Sequence, residues 1–191
     1  MSDPSNDQQE AGEGRTQSSA GGRHRGREVA LQVLYAIDLG ETGPRDAAAA
    51  RAAKVERGGF EPYAEQDALR TLVDVDPAEA SGEAFDRITE HFDVPKTSID
   101  FARELVAGIA TRAEELDALV GAHAKNWRVS RMAAVDRNVL RLGVYELRQT
   151  ETPVAVVIDE AVDLARRFGG DTSPSFVNGI LDAVAREVRA A

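Results

Sequence analysis

Between residues 76 and 190 apolar side chains recur every three or four positions, and four of these runs open on a proline. That period builds helices, and the chain holds no alternating stretch long enough to build a sheet. The four openings are Asp76-Pro77, Val94-Pro95, Thr152-Pro153 and Ser173-Pro174. Asp76 suits the cap of the first helix, with Pro77 at its first position and Glu79 completing a capping box; this helix is expected to run to about His91-Phe92. "VPKTSIDFARELVAGIATRAEELDALVGAHA", with Thr97 or Ser98 as cap, carries one sustained stripe from Ile99 through Ala102, Leu105, Val106, Ile109, Ala113, Leu116 and Leu119 to Val120. In "VSRMAAVDRNVLRLGVYELRQT" the apolar residues wrap more than half the circumference, which places that helix at the centre of the core. Thr152 and Ser173 read as caps of the last two helices. Gly169-Gly170 reads as a left-handed stop between them. An earlier helix starts near Arg27, with Ala30, Val33, Leu34 and Ile37 inward, and is stopped by Gly40 and Gly43-Pro44.

The fold class that follows is all-α. Residues 1–22 offer almost nothing to bury and read as a disordered tail. Residues 23–191 form the helical domain, and within it 41–95 is an enlarged acidic connection. Residues 41–100 hold 14 acidic against 7 basic side chains, so most of the net charge of −10 sits there. An acidic chain does not coat nucleic acid indiscriminately, but charges are screened within about 8 Å at physiological salt, so a local basic site remains open to it. With no cysteine, disulfides and thiol chemistry are excluded. There is no signal-peptide pattern and no apolar window of membrane length, which leads us to expect a cytoplasmic protein without a membrane partner.

No catalytic constellation is visible. The chain lacks a Gly-rich phosphate loop, a nucleophile elbow and HExxH. His24, His91 and His123 are scattered without metal-ligand spacing, so no metal, no cofactor and no enzymatic activity are expected. Three features exceed what a plain bundle requires. "RHRGR" places Arg23, His24, Arg25 and Arg27 at the head of a helix, where cations oppose the dipole; phosphate contact is the simplest reason. "SPSFVNGILD" sets Phe176 in the first turn of a helix, where it can either fix the chain's path or stack on an unpaired base. Asn178 and Gly179 after it are poor helix formers, suggesting a side-chain hydrogen bond and a close backbone approach. In "KNWRVSRMAAVDRNVLR" the only tryptophan, Trp127, lies in a loop between Lys125 and Arg128 as a platform for a base or a partner. Arg137, Arg141 and Arg148, with Asp136 and Tyr145, read as a mixed-charge interface rim.

Together, "RHRGREVALQVLYAIDL", "AAVDRNVLRLGVYEL" and "TPVAVVIDEAVDLARRFGGDTSPSFVNGILD" resemble the NusB family of bacterial transcription antitermination factors. The resemblance implies two small helical bundles packed together, about seven helices in all. It implies binding of single-stranded boxA RNA from ribosomal RNA operons together with NusE, a small-subunit ribosomal protein, and loading of an antitermination complex onto RNA polymerase. Carried over by position, Arg23, Arg25 and Arg27 face RNA with Gln32 one turn further on, Phe176 lies by the RNA or partner edge, and Tyr35 and Asp136 lie near the protein partner; from their own places in the sequence, His24, Trp127 and Phe176 join the RNA-facing set and Arg137 the partner-facing one. The chain departs from the family where "RHRGR" dilutes the usual run of basic residues. Two alternatives compete. One is the RNA-binding domain of a ribosomal RNA cytosine methyltransferase, which needs a downstream catalytic domain and cysteines. The other is a homodimeric interaction scaffold.

Overall fold

Helix propagation is cheaper than nucleation, and this sets the length of the first element. The computed structural model describes residues 7–39, 76–125 and 127–190, with side chains from 21 to 188 within those ranges. Helix α1 spans Asp7–Asp38. It begins well before Arg27, and its backbone is helical through most of the stretch read as a disordered tail. A lack of apolar residues argues against packing but not against continuing a helix already nucleated by the packed segment that follows. The expected stops at Gly40 and Gly43-Pro44, and residues 41–75 of the acidic connection, lie outside the described residues.

Among the described residues six further α-helices follow: α2 Pro77–Thr89, α3 Lys96–Ala110, α4 Ala113–His123, α5 Ala134–Gln149, α6 Val154–Phe168 and α7 Ser173–Ala190. A single 3-10 turn, Val129–Arg131, lies between α4 and α5. No strand occurs among the described residues. α1, α2 and α3 pack on one another as one bundle, and α4 to α7 as a second. The two meet where α1 and α3 lie against α5. One apolar core runs through both, from Val29, Val33 and Phe85 to Leu140, Leu164 and Leu181.

The Asp76 cap forms as expected, its Oδ1 accepting the Ala78 N–H at 2.9 Å. Other caps differ. Pro95 and Pro153 are themselves the N-cap residues of α3 and α6, and neither helix has a side-chain cap. Ser98 is instead buried in α3, its Oγ without a partner, and Thr152 donates its N–H to Thr150 Oγ1. Ser173 is the first residue of α7, and its Oγ accepts the Gly170 N–H at 2.9 Å. Gly169 is extended, at φ −94° and ψ −169°, and neither it nor Gly170 is left-handed. Glycine is needed at 169 for space: a Cβ would lie 2.6 Å from Ser173 and 2.7 Å from the Ala165 carbonyl.

The long run expected over 97–120 is broken into α3 and α4 at Thr111-Arg112. Thr111 Oγ1 turns back to the Ala107 and Gly108 carbonyls and ends α3. Glu114 and Glu115 then sit in the first turn of α4, where the helix dipole favours acidic side chains.

Candidate nucleic-acid interface

The arginines at 23, 25 and 27 share one helix but not one environment. Arg27 falls in phase with Ala30 and Leu34, both core residues, and is therefore carried inward. Its side chain is 3% exposed, and its Nε and Nη2 donate to the two oxygens of Glu146, each at 2.7 Å. Glu160 Oε2 lies 3.5 Å from its Nη1. Burial alone would lower the Arg27 pKa, but the Glu146 hydrogen bonds and the charges of Glu146 and Glu160 outweigh it, and the pKa rises. The expectation that Arg27 meets RNA is therefore corrected: its fork is fully engaged inside the protein.

Arg23 is exposed, with its guanidinium 5.7 Å from the Phe101 ring centre and no carboxylate partner among the described residues. His24 is half-buried, its Nδ1 2.8 Å from Glu160 and its Nε2 3.5 Å from Glu28. Arg25 reaches one oxygen of Glu28 at 2.5 Å, and Arg167 of α6 donates to the other. The Glu28 carboxylate itself is buried. Gly26, which dilutes the basic run, lies where α1 crosses α3. A Cβ there would meet Phe101 Cδ1 at 2.8 Å and the Ser98 carbonyl at 2.9 Å.

Thirteen residues beyond Arg25, about 20 Å along α1 at 1.5 Å per residue, Asp38 opens a second charged cluster. Arg137 donates to Asp38 and to the carbonyls of Val129, at 3.3 Å, and Met132, at 3.1 Å. Arg141 forks onto Asp117, both contacts at 2.7 Å, and touches Asp38 and Asn138 Oδ1. Burial opposes the charge of Arg141, but Asp117 and Asp38 prevail and its pKa rises. Arg148 pairs with Glu115. The interface rim expected from Arg137, Arg141 and Arg148 is thus corrected. These side chains tie α5 to α1, to α4 and to the 3-10 turn, and Arg137 has little surface left for a partner. Tyr35 is exposed at this end of α1, Gln32 is half-buried, and Asp136 is half-buried with Oδ1 enclosed and unpartnered.

Trp127 and Phe176 are brought together. Their rings meet edge to face at 5.6 Å, with Trp127 57% exposed and Phe176 half-buried. Asn178 is exposed with no side-chain hydrogen bond among the described residues, and a Cβ on Gly179 would meet nothing within 4 Å. The close approach and the side-chain hydrogen bond expected there do not occur among the described residues. No described contact links this aromatic ledge to the arginine-rich stretch of α1.

Sequence reasoning passed over Glu28, Glu146 and Asp38. A signal existed for Glu146, which repeats the phase of Val139 and Leu142 on a buried face. A carboxylate in that position needs a cation, and Arg27 is the one supplied.

Two bundles sharing a core, ionic clamps spent on packing, and separate basic and aromatic surfaces define a helical binding protein. A family model, the NusB family, matches residues 63–186. The transcription antitermination protein NusB of Myxococcus xanthus is 37% identical over 166 residues, covering 86% of this chain and 95% of that protein. The Anaeromyxobacter dehalogenans strain 2CP-1 counterpart is 44% identical over 124 residues, covering 64% and 87%. Among solved structures, T. maritima NusB matches with a TM-score of 0.59 at 28% identity, over 86% of this chain and 91% of that one. A chain from the crystal structure of antitermination factors NusB and NusE in complex with dsRNA matches at 0.60 and 25% identity, over 87% and 97%. The chain belongs to the NusB family.

Proposed function

We propose that this chain is a transcription antitermination factor that binds the single-stranded boxA RNA of ribosomal RNA operons with NusE. It then helps to load the antitermination complex onto RNA polymerase, in the cytoplasm and without catalysis of its own. The observation that carries this reading is the 37% identity along nearly the whole of the M. xanthus antitermination protein. Among the described residues no helix is long and apolar enough to cross a membrane, in keeping with a role beside RNA polymerase.

Arg23 and Arg25, exposed midway along α1, supply phosphate contacts, with His24 beside them. Trp127 and Phe176 supply faces on which an unpaired base stacks, a contact of about 1–3 kcal/mol per base. Tyr35 and Asp136, at the far end of α1, serve the protein partner. Overall acidity keeps the RNA contact local, so selectivity rests on few sites.

The test is fluorescence anisotropy of a labelled boxA-type RNA, titrated with the chain alone and then with equimolar NusE, beside a scrambled RNA. Preference for boxA that tightens with NusE is expected. Equal binding of both RNAs, with and without NusE, would overturn the reading.

A further inference from the structure

The buried Glu28 carboxylate holds two guanidinium groups that are distant in sequence. Arg25 donates to one oxygen and Arg167 to the other, while the carboxylate itself is 2% exposed. The two arginines are 45% and 58% exposed. Each touches Glu28 through a single Nη1, and a guanidinium has five N–H groups, so most of both forks remains without a carboxylate. The centre of this arrangement is a negative charge sealed beneath two positive ones. Arg167 also lies over the Phe168 ring at 5.2 Å, which further restricts its side chain.

We propose that Arg167 of α6 is a phosphate-binding residue, forming with Arg25 one clamp for the RNA backbone that Glu28 organises from below. This rests on the RNA-binding reading above. Arg27 is withdrawn into the core, so this stretch of α1 presents fewer arginines than its sequence suggests, and Arg167 replaces the missing one from another helix. Anchoring on a shared carboxylate limits the rotamer freedom that a long basic side chain would otherwise lose on binding. Adjacent Arg166 is a built-in control: it is 63% exposed, but it pairs with Asp163 on its own helix and has no contact with Glu28.

The experiment is anisotropy titration of boxA-type RNA at several salt concentrations, using wild type, R167A, R167K, R166A and R23A. Each phosphate contact to a single strand contributes a slope of about 0.7 in log K against log salt, or about fivefold at 0.1 M salt. R167A is expected to lose about that factor and that slope, with R166A unchanged. R167K should keep most of the slope and lose affinity, because a point charge replaces the fork. If R23A weakens binding while R167A matches wild type in affinity and slope, the clamp is refuted and the RNA-binding reading stands. If wild type does not distinguish boxA from scrambled RNA, the reading fails and the clamp with it. Circular dichroism of each variant keeps loss of fold apart from loss of contact.

Discussion

Replacing Arg27 by alanine separates a buried structural cation from an RNA contact. Arg27 and Glu146 are 3% and 2% exposed and share two 2.7 Å hydrogen bonds. Glu146 has no second cation within salt-bridge distance among the described residues. The variant therefore leaves a carboxylate buried and unpaired, a defect that costs about 3–5 kcal/mol. At about 2–4 °C per kcal/mol for a chain of this size, Tm should fall by roughly 10 °C. Changing both partners, Arg27→Met with Glu146→Leu, removes the unpaired charge and should recover most of that loss. Urea denaturation measures the stabilities, and RNA titration at 10 °C, where the single variant stays folded, measures binding. The expected pattern is a large loss of stability with little change in the salt slope. Unchanged stability together with a shallower slope would show Arg27 pointing at phosphate, and the assignment of the buried pair would be wrong.

Two glycines should respond in opposite directions. Gly26→Ala forces a Cβ against backbone at 2.9 Å and should destabilise by about 1–3 kcal/mol, whereas Gly179→Ala enters open space on a helix and should stabilise by up to about 1 kcal/mol; denaturation midpoints decide both. Arg137→Ala releases the Val129 and Met132 carbonyls and Asp38 together. Because Trp127 is the only tryptophan, acrylamide quenching of its emission reads the adjoining turn directly. Quenching should rise, and a stability loss without that rise would contradict a clamp on the turn.

Local signals in the sequence carried through to the structure, and tertiary ones did not. The Asp76 cap needs only its own neighbours, so it could be read directly. The break at Thr111-Arg112 was hidden because Ile109, Ala113, Leu116 and Val120 stay in phase across it. The caps at Thr97, Thr152 and Ser173 failed because proline or the preceding turn already fixes the chain where each helix begins. At the candidate site, exposed Arg23 and Trp127 were legible as residues with no place in an apolar stripe. Arg27 was legible too, since it shares the phase of Ala30 and Leu34, but its cluster with other arginines drew it to the wrong surface. Arg167 could not be grouped with Arg25 from the sequence, because only the packing of α1 and α6 on α5 brings both to Glu28.

The charged contacts at the two ends of the α1–α5 pair also act as a ruler. The residues between them are mostly alanine, valine and leucine, whose similar shapes leave neighbouring alignments of the two helices close in energy. Sliding α1 by one turn, about 5.4 Å, would draw Arg27 away from Glu146 and Asp38 away from Arg137 at once. Both unions are satisfied in one alignment alone. The spacing between the exposed arginines within α1 and the exposed Tyr35 near its C-terminal end is thereby locked.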